Sequence, residues 1–255
     1  MDSFSIPVSK LVQGPYSQIL GYPKATKKEL ARRALELKKL GIRSVTFGGP
    51  TVLNSVPVLG KGYVGVVVLS KVGKDNVALK IRRVDSSREE MGSEAKLLRA
   101  ANKVNVGPRL IKSSKNFIVM EYLEGKRIID WVQELKGRGS ASKFRRVARQ
   151  ILEDCYRLDS INLDHGELSY IHKHVIVGKS PRIIDFESAS LNRRTSNVTS
   201  ATQSIFIGSA LSCIVKKIVK IPSKKTMIGC LKKYKHDQSR DNFEHVLHVL
   251  GLDKN

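Results

Sequence analysis

An α+β fold class follows from three features of this 255-residue chain. Strand-like runs rich in β-branched residues crowd its first half, at 43–47, 66–69, 76–81 and 116–123. Helical periodicity takes over after residue 124, at 128–135, 142–158 and again toward the end. Between those helices runs Leu163–Glu187, L-D-H-G-E-L-S-Y-I-H-K-H-V-I-V-G-K-S-P-R-I-I-D-F-E. It reads as a polar loop (His165–Lys173), an apolar strand (Val175–Val177), a turn (Gly178–Pro181) and a second strand (Arg182–Ile184). Glu167, Lys173–His174 and Asp185 would meet at one end of that hairpin. Two carboxylates held there by apolar strands suit one general base and one metal ligand.

Composition bounds the partners. The chain carries 46 Lys+Arg against 23 Asp+Glu, a formal net charge of +23. Such an excess favours a polyanionic partner such as RNA, a ribosomal particle or a nucleotide, although a basic solvated surface gives the same count. The three cysteines, Cys155, Cys213 and Cys230, form no C-x-x-C pair. A disulfide framework or a zinc site is therefore not expected, and a reducing cytoplasm is. The opening residues lack the basic-then-apolar pattern of a secretory leader. The uncharged run Val198–Val215 is too polar to span a bilayer, so no membrane partner is expected.

Taken in order, residues 1–25 hold Pro7, Pro15 and Pro23 and read as extended, docked chain. A helix then opens on a T-x-x-E capping box, Thr26 and Glu29, runs along Leu30, Ala34, Leu37 and Leu40, and stops at Gly41. Its other face carries Lys27, Lys28, Arg32, Arg33, Lys38 and Lys39, which serves as a solvated face or as a contact for phosphates. Arg43–Phe47 follows as a strand, and residues 1–50 are expected to form an amino-terminal extension docked on what comes next.

Gly60, Gly62 and Gly65 then stand in G-x-G-x-x-G spacing. A dinucleotide fingerprint would continue as a helix, but Val66–Leu69 is β-branched and apolar, so a second strand follows. A glycine-rich hairpin lets backbone N–H groups approach phosphates. The next strand, Asn76–Ile81, ends in V-A-L-K, and Lys80, buried on an apolar strand, needs a partner. Capping boxes at Ser86 and Ser87 with Glu89 and Glu90 start a helix expected to reach about Asn102, with Met91, Ala95 and Leu98 on its apolar face. Glu94, beside that stripe, is the preferred partner of Lys80, with Glu90 as the fallback. Strands at 109–111 and 116–123 complete the first half, and helices at 128–135, 142–158 (capped by Ser142), 198–214, 225–234 and 240–250 fill the second.

Four elements thus stand in order: G-x-G-x-x-G, V-A-L-K, M-E-Y-L-E-G, and H-G-E-L followed by I-D-F-E. From Leu59 to about Ser190 the chain resembles a compact, atypical protein kinase. It is most similar to archaeal serine/threonine kinases related to the RIO family and to the small kinase of the tRNA threonylcarbamoyl-modification complex. The runs A-L-K-I-R-R-V-D, V-G-P-R-L and I-I-D-F-E-S-A-S carry that likeness. The resemblance implies a two-lobed fold with ATP between the lobes: a small antiparallel-sheet lobe at 51–123 and a reduced, mainly helical lobe at 124–255. It implies that Leu59, Gly60, Lys61, Gly62, Gly65 and Val67 cover the phosphates, with Ala78 beside the nucleotide. Lys80 would contact the α/β-phosphates, Glu94 would orient it, and Met120, Glu121 and Leu123 would bind adenine. Glu167 takes the base position and Asp185 holds Mg2+. The product would be a phosphorylated protein hydroxyl, on a protein substrate or on the chain itself.

Departures from the pattern leave room for a slow kinase, an RNA- or ribosome-associated ATPase switch, or a nucleotide-binding pseudokinase. Glu167 replaces the usual Asp, and its extra methylene moves the carboxylate by about one bond length. The usual metal-binding Asn is absent; His172 or His174 stands there according to the register, and imidazole suits magnesium poorly. Lys173 would reach a phosphate instead. D-F-E replaces D-F-G, which adds the Glu187 carboxylate. Only about 70 residues follow Asp185, too few for the long peptide-docking region of ordinary protein kinases.

Overall fold

The computed structural model describes residues 4–253; residues 1–3 and 254–255 of the expected first and last segments lie outside the described residues. The chain is α+β, with an antiparallel sheet and a set of helices. It divides into two compact units: one holds the residues up to Arg99 and Pro108–Tyr122, the other Ala100–Gly107 and everything from Leu123 onward.

In the first unit, strand β1 (Phe4–Pro7) leads through a 3-10 turn (Val8–Lys10) to helices α1 (Gly14–Leu20) and α2 (Lys27–Lys39). Strand β2 (Ser44–Phe47) follows, then a hairpin of β3 (Thr51–Leu53) and β4 (Val56–Val58). Asn54 and Ser55 at its tip both have positive φ, 48° and 64°, as a tight two-residue turn demands. The main sheet is completed by β5 (Gly60–Lys61), β6 (Gly65–Val72), β7 (Asp75–Arg82), β8 (Leu110–Ser113) and β9 (Phe117–Glu121). Its order is β1-β2-β6-β7-β9-β8, every pairing is antiparallel, and β5 pairs β6. Residues 4–47 therefore supply two strands of the sheet itself. Helix α2 covers it with Leu30, Ala34 and Leu37, which join Val45, Phe47, Val66, Val68, Leu79 and Val119 in one apolar core.

Two expectations are corrected here. The first 25 residues are not extended throughout: α1 forms with Pro15 in its first turn, where the missing N–H costs nothing. The helix expected from Ser86 begins only at Gly92 (α3, Gly92–Lys103). Ser86 Oγ accepts from Arg88 N (3.2 Å), Arg82 Nη1 donates to Arg88 O (3.1 Å), and Met91 N donates to Lys115 O (2.9 Å). Those bonds take the backbone groups a helix would need.

The second unit is mainly helical. Strand β10 (Lys126–Arg127) runs into α4 (Ile128–Gln133), and α5 (Ser140–Ser160) follows. Phe144, Val147, Ala148, Ile151, Leu152, Cys155 and Leu158 form the buried stripe of α5. Its start precedes the expected Ser142 cap; Gly139 occupies the cap position, with φ 89°. The segment expected to be a polar loop holds a 3-10 turn (Leu168–Tyr170) and the short helix α6 (Ile171–His174). Strands β11 (Val175–Val177) and β12 (Pro181–Ile183) pair, and β10 adds to β11. Gly125 and Gly178 are required where these strands meet, because a Cβ would stand 2.5 Å from Val177 O and 2.0 Å from Glu124 O respectively.

The single helix expected over 198–214 is three pieces: α7 (Asn197–Thr202), a π turn (Gln203–Ile207) and α8 (Ala210–Val215). Gly208 breaks it, and Ser209 recaps it through a reciprocal box with Ser212. Helices α9 (Lys224–His236) and α10 (Arg240–Val249) close the chain. Among the described residues no helix is long and apolar enough to cross a membrane.

Candidate functional site

In the first unit, the glycine-rich segment is a hairpin. Gly60 pairs with Val67 and Lys61 with Val66, while Gly62 N donates to Gly65 O (2.8 Å) across the tip. The three glycines are not equivalent. A Cβ at Gly60 would meet nothing within 4 Å, whereas at Gly65 it would stand 2.9 Å from Ile81 O and 3.0 Å from Lys80 Cγ. Gly65 is thus set by the lysine on the neighbouring strand. Val67 and Ala78 lie on those paired strands, with Leu59 N donating to Val67 O (3.0 Å).

Lys80 is 3% exposed, and its Nζ lies 2.7 Å from Oε1 of Glu94, itself 4% exposed. An ammonium this deeply buried needs a carboxylate, since desolvation of either ion alone would cost several kcal/mol. Strand β7 supplies the lysine and the first turn of α3 the glutamate. Met120 and Glu121 end β9, and Leu123 is the first residue of the second unit past that strand. Glu121 N is engaged by Arg109 O (2.9 Å), so that N–H is spent within the sheet.

In the second unit, Glu167, His174 and Asp185 offer ligand atoms that all lie within 4.8 Å of one another. His174 Nε2 is 3.3 Å from Glu167 Oε2, and Ser188 Oγ donates to Glu167 Oε1 (3.0 Å). Ile184 N donates to His174 O (2.9 Å), which fixes His174 beside the residue preceding Asp185. Asp185 holds a left-handed backbone, φ 70°. That conformation costs an L-residue about 1 kcal/mol and persists where surrounding structure imposes it.

The frame behind the cluster is polar and buried. Asp164 and Ser190 exchange both backbone bonds (2.9 and 2.8 Å), Arg193 Nε donates to Asp164 Oδ2 (2.6 Å), and Ser196 N donates to Asp164 Oδ1 (2.9 Å). His165 is fully buried, with Nε2 3.0 Å from Ile184 O and its ring edge-on to His174 and Phe186. Desolvation, then the neighbouring His174, push the His165 pKa down to about 4, so it is neutral near pH 7. Asp159 receives Asn197 N and Nδ2, Val198 N and the Tyr234 hydroxyl, and Asn197 Oδ1 in turn accepts from His165 N. Desolvation raises the pKa of Asp159 and of Tyr234.

Of the residues singled out in the sequence, Lys80 and Glu94 meet, and Glu167, His174 and Asp185 meet. Lys173 is exposed, with its Nζ 5.6 Å from the Tyr170 ring centre. His172 is a separate, partly buried ring whose pKa is lowered, first by desolvation. Glu187 is buried and does not face solvent. The sequence reading missed the supporting roles of Ser188, Asp164, Asn197 and Asp159, whose partners lie 21 to 75 residues away along the chain. No local signal marks such pairs.

No protein-family model matches the chain. One stretch of 87 residues, 34% of the chain, is 28% identical to the uncharacterized protein MJ1211 of Methanocaldococcus jannaschii and covers 72% of that protein.

Proposed function

We propose that this chain is an atypical, RIO-like serine/threonine protein kinase of two-lobed, protein kinase-like fold. It would bind ATP with a divalent cation and transfer the γ-phosphoryl group to a protein hydroxyl, its own included. The observation that carries the reading is the Lys80–Glu94 pair beside Gly65, in one chain with the Glu167–His174–Asp185 cluster. Lys80 would hold phosphate oxygens while Glu94 keeps it charged and aimed. Leu59, Lys61 and the glycines would cover the phosphates, and Met120 to Leu123 would receive the base. In the transfer the hydroxyl oxygen bonds the γ-phosphorus, the bond from that phosphorus to the oxygen shared with the β-phosphate breaks, ADP leaves, and Glu167 would accept the hydroxyl proton on Oε1, the oxygen turned to Ser188, leaving Oε2 for the cation. The carboxylate oxygens of Glu167 and Asp185 suit magnesium, whereas the imidazole of His174 does not.

A second reading, an ATPase switch acting with RNA or a ribosomal particle, is supported by α2. Both of its acids turn inward, Glu29 to Arg33 and Glu36 to Asn116. Lys27, Lys28, Arg32, Lys38 and Lys39 remain exposed. Arg33, expected on that basic face, is fully buried instead.

Incubation with γ-labelled ATP tests both readings. Label on the wild-type chain, lost in Lys80→Ala and Asp185→Ala, is the outcome expected of a kinase. Phosphate release without label favours the switch. Neither product despite ATP binding leaves a nucleotide-binding pseudokinase. No ATP binding at all sinks the whole reading.

A further inference from the structure

We propose that Glu167, His174 and Asp185 form a site for a first-row transition cation, manganese(II) in the first instance, in preference to magnesium. The inference rests on the nucleotide reading for the use of the cation, and not for its binding.

Geometry comes first. Two ligand atoms about 2.1 Å from one ion and at right angles to each other stand about 3 Å apart. His174 Nε2 and Glu167 Oε2 are separated by 3.3 Å. A charge-assisted hydrogen bond would be about 2.8 Å. The spacing therefore suits two ligands of a shared ion better than a tight ion pair. An Asp185 ligand atom lies inside the same 4.8 Å circle. Each donor is placed before any ion arrives. Ser188 holds one oxygen of Glu167, the Ile184–His174 bond fixes the His174 backbone while its ring packs edge-on to His165, and the left-handed backbone sets Asp185.

Burial supplies an independent observation. His174 is 7% exposed, and its Nδ1 has no hydrogen-bond partner. Its other nitrogen, Nε2, lies 3.3 Å from the Glu167 carboxylate. Coordination through Nε2 would give that nitrogen a close partner, with Nδ1 left as it stands in the buried ring.

Donor chemistry then selects the ion. Magnesium holds to oxygen ligands in near-ideal octahedra. Manganese accepts carboxylates as magnesium does, tolerates imidazole nitrogen, and begins the series along which nitrogen-containing sites bind more strongly. One nitrogen with two carboxylate oxygens therefore tilts the site away from magnesium.

The test is a titration of the metal-free full-length chain with Mn2+ and no nucleotide, following the loss of the free-ion electron paramagnetic resonance signal. One ion per chain is expected, displaced by Mg2+ only at roughly 100-fold excess. Replacing the nitrogen by an amide oxygen in His174→Asn should cut that preference about tenfold or more. Glu167→Gln should weaken Mn2+ and Mg2+ alike. Unchanged thermal unfolding of the metal-free variants separates lost ligation from lost structure. Displacement by equimolar Mg2+, a preference unmoved by His174→Asn, or no Mn2+ binding overturns the proposal. A chain that binds Mn2+ selectively but never turns over ATP overturns the phosphoryl-transfer reading alone. One that labels itself with Mg2+ and shows no nitrogen-dependent preference overturns this inference alone.

Discussion

Arg33 joins four segments of the first unit from one buried side chain. Its Nε bonds Glu29 Oε1 (3.0 Å), Nη1 bonds Leu20 O (2.9 Å) and Arg82 O (2.6 Å), and Nη2 bonds Asn116 Oδ1 (3.2 Å). Only a planar fork satisfies acceptors in so many directions, which a lysine ammonium on a flexible stem cannot do. Arg33→Ala strands several buried acceptors and should destabilise the chain by roughly 3–5 kcal/mol in urea unfolding. Arg33→Lys should recover less than half of that. A loss under about 1 kcal/mol for the alanine variant would mean that water satisfies those carbonyls after all. The sequence placed Arg33 among exposed lysines because helical spacing alone does not tell a buried guanidinium from a solvated one. Its position beside Glu29 was legible; the carbonyls from 13 and 49 residues away were not.

The glycine-rich hairpin, at the scale of an element, is braced from outside itself. Arg83 N donates to Val64 O (2.8 Å) and Arg83 Nη1 to Gly62 O (3.1 Å), while Lys61 Nζ donates to the Tyr22 hydroxyl (2.8 Å). Tyr22 O accepts from Val84 N (2.8 Å), and its ring lies under both Lys61 and Arg83. Arg83→Met should therefore speed amide hydrogen exchange at Gly62–Gly65 about tenfold, with Tyr22→Phe giving a smaller effect. Equal exchange in all three proteins would mean that the hairpin needs no brace. Strands β6, β7 and β9 were legible because β-branched alternation specifies them locally; charge burial showed that Lys80 needs a partner, and the kinase resemblance pointed to a helix carboxylate, with Glu94 preferred to Glu90. The start of α3 was not, since bonds from Arg82 and Lys115 outcompete two good capping sequences. Glu167, His174 and Asp185 could be placed together at one hairpin end from sequence. That Lys173 turns away toward the Tyr170 ring depended on α6, which the polar composition of 165–173 concealed.

Across the whole molecule, stability should carry a pH signature from α5. Asp154 is 6% exposed, and desolvation lifts its pKa to about 6, with Arg157 acting in the opposite sense. A carboxyl whose folded pKa lies above its unfolded value holds its proton more tightly when folded. Its contribution is therefore intact below about pH 4 and is lost as pH rises through about 6. The loss amounts to roughly 3 kcal/mol at neutral pH. Asp154→Asn should flatten the unfolding free energy between about pH 4 and pH 7 relative to wild type; parallel profiles for the two proteins would contradict this. The strand order has a consequence for synthesis. Strand β9 sits between β7 and β8, yet it is the last of the three to be made. Until Phe117–Glu121 leaves the ribosome, one edge of β7, Val77–Ile81, keeps its backbone groups unpaired. A chain stalled there presents a sticky, half-built sheet, so the speed of translation across about the first 120 codons bears on how much of this protein survives its own birth.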